Sequence, residues 1–187
     1  MRGHSRHDTH PIPPSGVHRR AKTLLGPAKA LLGQAKTAAN PPLLGREGGP
    51  FQKIETSVLC NQVRERLFDR ASAKGVDILD QRSCSHVRVQ AAPFAEALYE
   101  LTDNAIEAAA PGHPVLVEVR TTPEGDVLWQ IHDHGEGMSE RDLGELGRPT
   151  SGLGVMLAWA VIEHHGGLLH FESAPGGGTT ATIWLPG

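Results

Sequence analysis

The prolines and glycines of this 187-residue chain are concentrated near its N-terminus. Residues 1–50 contain seven of the 14 prolines and seven of the 22 glycines, a composition typical of linkers without a packed core. The same segment carries eight basic and two acidic residues, so its net charge is +6 and that of residues 51–187 is −9. We therefore expect one folded domain, residues 51–187, behind a basic, disordered tail or linker, residues 1–50.

Composition also limits the class of protein and its partners. The overall formal charge of −3 does not favour nucleic acid as a partner. Two cysteines, Cys60 and Cys84, are too few for a disulfide scaffold and lack metal-ligand spacing. The longest apolar runs, such as residues 155–162, are far shorter than the roughly 20 residues of a membrane-spanning helix. We expect a cytoplasmic protein with no transmembrane segment. For the tail, the alternative to a solvated linker is a weak basic amphipathic segment that docks on a partner or on a membrane surface.

Hydrophobic periodicity predicts the order of helices and strands. Helices are predicted over residues 51–73, 93–109 and 154–165. A strand is predicted at 85–90, one hairpin at 115–132 and a second hairpin at 168–185. Three main helices and five strands, with the strands clustered late, indicate an α/β (α+β) two-layer sandwich. In this architecture helices cover one face of a mixed, mostly antiparallel sheet.

The predicted helix 93–109 carries a polar stripe beside its apolar one. Glu100, Asn104 and Glu107 are spaced i, i+4, i+7, which places them on neighbouring turns of one helix face. A carboxylate and an amide one turn apart offer oxygen ligands to Mg²⁺. The alternative is that the stripe is a solvated helix face.

A loop rich in glycine follows the predicted strand 126–132. There Asp133 stands at the strand end, followed by Gly135 and Gly137. An ionised carboxylate can accept a hydrogen bond from an exocyclic amine, and glycines let a flat ring approach the backbone. The same residues also form ordinary turns.

Two further glycine-rich segments lie nearer the C-terminus. Gly152 and Gly154 open the predicted helix 154–165, where backbone N–H groups can meet phosphate. Thr179 leaves a tight turn that begins with three glycines, residues 176–178. Each segment alone has a purely structural interpretation as a turn or helix start.

Taken in order, these segments closely resemble the GHKL or Bergerat-fold ATPase superfamily, and within it the ATP-binding catalytic domain of sensor histidine kinases. The sequence LYELTDNAIEAA (98–109) resembles the N box, DHGEGM (133–138) the first glycine box and SGLGV (151–155) the second. The sequence PGGGTTATIWLP (175–186) resembles the third glycine box and the closing strand. The resemblance spans residues 51–187, with residues 51–75 similar to the helix that leads into such domains.

The resemblance implies roles for the N-box and first-glycine-box residues. Asn104 would ligate the Mg²⁺ that bridges the phosphates of ATP. Glu100 would be the catalytic residue that orients or deprotonates the attacking group or a metal-bound water. Asp133 would bind the adenine amino group, and Gly135 and Gly137 would shape the pocket for the ring.

Four more cofactor-binding positions follow from the same resemblance. Gly152 and Gly154 would hinge the lid over ATP and meet phosphate, and Leu153 lies between them. Thr179 would support the adenine-binding aspartate through a water bound to adenine.

The chain departs from the family pattern in three places. Many members have a lysine three residues after the N-box asparagine, whereas this chain has Glu107. The lid at 138–152 is short, and Arg148 is the only cation near its end. The long hairpin with the phosphoaccepting histidine is not recognisable, because the pair His7-Asp8 stands among prolines.

These features lead to one expected function and two alternatives. We expect a Mg²⁺-ATP-binding domain of histidine-kinase type that acts in two-component signalling. Its partner would be a response regulator or a protein that supplies the histidine in trans. The alternatives are a non-catalytic module that binds nucleotide or a signalling partner, and a serine kinase of the anti-sigma-factor type.

Overall fold

The computed structural model describes residues 49–84, 86–146 and 152–187. Nearly all of the predicted tail lies outside the described residues, as do His7, Asp8 and Arg148. Within the described ranges the chain forms seven strands and four helices. In chain order these are β1 (Gln52–Glu55), α1 (Thr56–Lys74), β2 (Ile78–Arg82), β3 (His86–Val89), α2 (Ala91–Ala108), β4 (Val115–Thr121), β5 (Val127–His132), α3 (Glu140–Glu145), α4 (Leu153–His164), β6 (Leu168–Ser173) and β7 (Thr179–Leu185).

Five of these strands form one mixed sheet in the order β2-β4-β5-β7-β6. β2 runs parallel to β4, and the other neighbouring strands are antiparallel. The two predicted hairpins are confirmed as β4–β5 and β6–β7. Their register places Val119 opposite Trp129 and Trp129 opposite Ile183, so large apolar side chains share one face. β1 and β3 pair antiparallel in a separate two-stranded sheet.

The apolar face of the five-stranded sheet packs against α1, α2 and α4 in one core. Phe94 of α2 meets Trp129 of β5 edge to face, with 5.9 Å between the ring centroids, and both side chains are fully buried. Burial of each such side chain stabilises the fold by about 1.5–3 kcal/mol. The predicted two-layer α/β sandwich, with helices on one face of a mixed sheet, is therefore confirmed.

Helix α1 buries one stripe of apolar residues and exposes the rest. Leu59, Val63 and Leu67 face the core at spacings of four residues. The helix ends at Gly75, whose φ of 68° is the left-handed conformation that favours glycine. None of the helices in the described ranges combines the length and the hydropathy needed to cross a bilayer.

The structure differs from the predicted elements near the start of the domain. α1 begins at Thr56 rather than at residue 51, because residues 52–55 form β1. Strand β2 is not predicted, since Asp80 stands opposite Val117 on the face that elsewhere is apolar. Its carboxylate is accommodated by Arg64 at 3.4 Å and Arg82 at 2.8 Å. A charged residue at an inner position breaks the hydrophobic alternation by which a strand is recognised in a sequence, and these ion pairs stabilise it there.

Candidate nucleotide-binding site

A cavity of about 700 Å³ lies beside α2, β5 and β7. Its volume is within the range of roughly 300–1,000 Å³ that small-molecule sites occupy. Polar residues line it from separate parts of the chain, namely Lys74, Asn104, Glu107, Asp133, Glu136 and Thr179. The structure therefore brings together four of the residues that the sequence predicts for a nucleotide site, Asn104, Asp133, Gly137 and Thr179.

Asp133 is the most buried polar residue of this cavity, with 3% of its surface exposed. It directly follows β5, and its N–H donates to the Thr179 carbonyl at 2.9 Å. Its Oδ1 accepts hydrogen bonds from the N–H groups of Gly135 at 2.8 Å and Thr179 at 3.2 Å. Because both bonds that hold the carboxylate within the described residues go to Oδ1, Oδ2 is the atom available to a ligand. A fixed, buried acceptor of this kind can bind a hydrogen-bond donor, such as an amino group.

Gly135 and Gly137 are glycines for steric reasons. A Cβ on Gly135 would overlap the carbonyl oxygen of Ala108, at the C-terminal end of α2. Gly137 has a φ of 69°, and a Cβ there would overlap the carbonyl oxygen of Ala174. The loop after β5 can therefore approach α2 and the β6–β7 turn only without these side chains. Of the two, Gly137 lines the cavity.

Thr179 reaches Asp133 through its backbone in this structure. Its side-chain Oγ1 lies 3.0 Å from the Oγ of Ser173, and both oxygens are partly buried. The Ser173 hydroxyl also contacts the Gly178 carbonyl oxygen at 2.9 Å and accepts from the Met138 N–H at 2.8 Å. This network joins β6, β7 and the loop after β5, so the rim of the cavity around Asp133 is rigid.

The polar stripe of α2 divides between two environments. Asn104 and Glu107 line the cavity, and both side chains are exposed to solvent. Within the described residues no hydrogen bond holds the Asn104 side chain, so its amide oxygen can become a metal ligand. Glu107 pairs with Arg70 at 3.3 Å. Asn104 thus has the donor type and the freedom that a Mg²⁺ ligand requires.

Glu100, one turn before Asn104, does not line this cavity. It packs against the first turn of α4, where a Cβ on Gly154 would overlap its Oε2. Partial burial, with the neighbouring carboxylates of Glu96 and Asp103, raises the pKa of Glu100, and Arg66 opposes this. A carboxylate with a raised pKa accepts a proton more readily, as a general base must.

Gly152, Leu153 and Gly154 form the start of α4. Gly152 is the residue before the helix, with a φ of 92°, and Leu153 has 84% of its surface exposed. None of the three lines the cavity, but Val155 of the same helix does. The segment 147–151 that precedes them lies outside the described residues.

Two histidines beside Asp133 are engaged elsewhere. His132 Nδ1 lies 2.9 Å from the Thr180 hydroxyl, and His134 Nδ1 lies 3.2 Å from the Pro114 carbonyl oxygen. Burial lowers the pKa of His132, with the nearby His134 adding to the effect. Across the part of the chain that the structure describes, no group of three or more His, Cys, Asp or Glu residues is arranged to hold a metal ion.

Lys74 also lines the cavity, although it is not among the residues that the sequence predicts for the site. It is the last residue of α1, and its Nζ donates to the Glu107 carbonyl oxygen at the end of α2. The only signal in the sequence is the spacing of Arg66, Arg70 and Lys74, four residues apart on one face of a helix. That spacing does not say which element the face meets.

The sequence of this chain is similar to those of known proteins. A family model described as "Histidine kinase-, DNA gyrase B-, and HSP90-like ATPase" matches residues 90–187, just over half of the chain. The sensor histidine kinase ZraS of Klebsiella oxytoca is 26% identical over 145 residues, which cover 73% of this chain and 31% of that protein. The chain spans less than a third of the length of the curated relatives that head the comparison.

Solved structures show the same fold. The mycobacterial sensor histidine kinase MprB aligns with a TM-score of 0.66 and 24% identity, covering 73% of this chain and 97% of that one. The full-length ShkA structure in complex with AMPPNP aligns with a TM-score of 0.65 and 20% identity, covering 94% of this chain and 40% of that one.

Proposed function

Because the chain belongs to the histidine kinase-, DNA gyrase B- and HSP90-like ATPase family, we propose that its cavity binds Mg²⁺-ATP and that the domain passes the γ-phosphoryl group to a histidine supplied in trans. The observation that carries this proposal is the convergence of Asp133, Thr179 and Asn104 on one cavity. These residues come from the end of β5, the start of β7 and the middle of α2. The cavity's volume of about 700 Å³ also suits a nucleotide.

Asp133 would select adenine. Its Oδ1 is held by two backbone N–H groups, and Oδ2 would accept the hydrogen bond from the ligand. The exocyclic amine of adenine is a donor that satisfies this acceptor, whereas a carbonyl oxygen at that position would leave it unpaired. Met138 and Phe171 line the same cavity and supply apolar surface for a flat ring.

Asn104 would hold the metal ion that accompanies the phosphates. Mg²⁺ keeps several water ligands and takes one or two protein oxygens together with phosphate oxygens. When bound, it neutralises the charge that develops on the transferred group. The side-chain oxygen of Asn104 fits this requirement, since the described residues leave it without another partner.

Glu100 and the start of α4 would act at the transfer step. The step breaks the bond between the γ-phosphorus and the oxygen that bridges it to the β-phosphate, and forms a bond to an imidazole nitrogen of the acceptor. Glu100, with its raised pKa, would orient that acceptor or take its proton. Backbone N–H groups of Gly152, Leu153 and Gly154 would meet the phosphates, because the N-terminus of a 12-residue helix attracts anions.

Nucleotide binding is tested by thermal unfolding of the purified protein with ATP, in the presence of Mg²⁺ or of a chelator. At about 100 times the dissociation constant, ligand adds roughly 2.7 kcal/mol to stability and raises Tm. Asn104→Ala removes the Mg²⁺-dependent part of this shift. Asn61→Ala is the matched control, because Asn61 is exposed on α1 and contacts Arg64 instead of the cavity. The proposal is contradicted if ATP does not change the Tm of the wild-type protein. It is also contradicted if the Mg²⁺-dependent increase in Tm is the same in Asn104→Ala as in wild type.

Transfer is tested with γ-labelled ATP and candidate partners, a histidine-containing protein or a response regulator. We expect acid-labile label on a histidine-containing partner, since phosphohistidine is lost in acid. Acid-stable label would favour a serine kinase of the anti-sigma-factor type. Binding without transfer would favour a non-catalytic module. Glu107 supports this alternative, because it places a carboxylate in the cavity wall where many family members have a lysine.

A further inference from the structure

We propose that Lys74, the last residue of α1, supplies the cationic contact to the phosphates of the bound nucleotide. This inference rests on the proposed function and adds a residue to it. The cation would come from α1, a helix that precedes the N box. The position at which many family members have a lysine, three residues after the N-box asparagine, is Glu107 in this chain. The juxtaposition of Lys74, Asn104 and Glu107 in one cavity is the observation from which it starts.

Lys74 has a defined position at the cavity. Its side chain is half-buried, unlike the exposed Arg66 and Arg70 that precede it on the same helix face. Its Nζ donates to the carbonyl oxygen of Glu107. An ammonium group has three donors, so this bond leaves two for a phosphate oxygen. α1 ends directly after Lys74, at Gly75 in a left-handed conformation, so Lys74 is the last position of the helix that can reach the cavity.

The charges of the cavity wall require a cation. Among the described residues that line it, Glu107, Asp133 and Glu136 are carboxylates, and Lys74 is the only lysine or arginine. ATP brings further negative charge, which Mg²⁺ offsets in part. Without Lys74 every charged residue among the described lining would be a carboxylate, so its ammonium is the group of this lining that can offset repulsion of the phosphates.

Ion pairs hold α1 in register with α2. Arg66 pairs with Glu96 at 2.8 Å, one end of a two-bond contact. Arg70 pairs with Asp103 at 2.6 Å and reaches Glu107 as well. These contacts and Lys74 follow one another at intervals of four residues along α1. The pairing therefore places Lys74 beside the end of α2 and beside the cavity.

A purely structural role for Lys74 makes a different prediction. A cation near the C-terminal carbonyls of a helix stabilises that helix through its dipole. If this were its only role, loss of the ammonium would lower stability and leave the selectivity among nucleotides unchanged. A phosphate contact instead makes the loss depend on the number of phosphates in the ligand.

The test is calorimetric titration of the full chain with Mg²⁺-ATP, ADP and adenosine. We expect Lys74→Met, which keeps the length of the side chain, to weaken ATP binding about tenfold, as loss of a charge-assisted hydrogen bond does. Adenosine binding stays at the wild-type value, and ADP lies between. Lys53→Met is the matched control: it removes an exposed lysine of β1 that does not line the cavity, and it leaves all three affinities unchanged.

A second variant tests the charge itself. In the double variant Lys74→Met/Glu107→Lys the cation returns to the wall from α2, and we expect ATP affinity to recover. Unfolding in urea without ligand shows that each variant is folded. ATP affinity of Lys74→Met equal to that of wild type, or an equal loss for ATP and adenosine, overturns the inference while the proposed function stands. A wild-type protein that binds neither ATP nor ADP overturns both.

Discussion

Two glycines of the β6–β7 turn allow the effect of close packing at Asp133 to be separated from backbone strain. Gly176 and Gly178 have φ values of 74° and 69°, so alanine at either position is strained. A Cβ on Gly176 meets no atom within 4 Å, whereas a Cβ on Gly178 overlaps the carbonyl oxygen of Asp133. Comparison of the two alanine variants therefore isolates the contact with the site.

The expected magnitudes differ accordingly. Left-handed backbone at a residue with a Cβ costs about 1–2 kcal/mol, and this is all that Gly176→Ala should lose. Gly178→Ala adds overpacking, which costs about 1–3 kcal/mol, so its total loss is about 2–5 kcal/mol. The displaced Asp133 backbone also donates the 2.9 Å hydrogen bond to Thr179. Its carboxylate must therefore move, and ATP binding should weaken in Gly178→Ala alone.

The assay is urea unfolding of both variants, followed by calorimetric titration with Mg²⁺-ATP. An unchanged m-value, the slope of unfolding free energy against urea, shows that the variants change stability and not the surface exposed on unfolding. Equal destabilisation of Gly176→Ala and Gly178→Ala, or equal ATP affinity in the two, would refute the reasoning. Gly144→Ala is a further reference, because this helical glycine has open space around it and a φ outside the left-handed region.

Three other predictions concern the rest of the fold. Burial lowers the pKa of His165, whose neutral Nε2 accepts the Gln90 N–H at 3.0 Å. The contribution of neutral His165 to the free energy of unfolding is therefore complete above about pH 6.5 and is lost as the pH falls below that value. His165→Gln should flatten the loss of unfolding free energy between pH 7 and pH 5 in urea titrations, and an unchanged slope would contradict this. Burial raises the pKa of the Cys60 thiol to about 11, so its alkylation at pH 8, in a variant lacking the other cysteine, should run about a hundredfold slower than that of an unfolded chain. Trp184→Phe removes the 3.1 Å bond from the indole N–H to buried Asp126 and should cost about 1–3 kcal/mol in urea unfolding; a loss below 0.5 kcal/mol would show that the bond contributes little.

The hairpins and the long helices could be predicted because their sequences follow one period. In β4 and β5 the alternation places Val117, Val119, Trp129 and Ile131 on the buried face. β2 breaks the rule, since Asp80 occupies an inner position and is stabilised by arginines from α1 and from its own strand. Such compensation depends on contacts between elements, which a local pattern does not contain.

The site was predictable to the extent that its residues form local motifs. Asp133 and its glycines stand together in one loop, so their resemblance to a nucleotide site is visible in six residues. Lys74 could not be found in this way, because it reaches the cavity only through the packing of α1 against α2. Glu100 could be predicted from the N-box pattern, but its contact with Gly154 could not, because that contact depends on the approach of α4 to α2.

Base selectivity tests the central proposal most directly. Mg²⁺-ATP and inosine triphosphate differ where the adenine amine is replaced by a carbonyl oxygen, the group that would face Asp133. In calorimetric titrations we expect wild-type protein to bind ATP at one site per chain and inosine triphosphate about 10 to 100 times more weakly, because a buried acceptor is left unpaired. Asp133→Asn, which can donate to that carbonyl, should remove the difference. Equal affinities of wild-type protein for the two nucleotides, or no binding of either, would contradict the proposal.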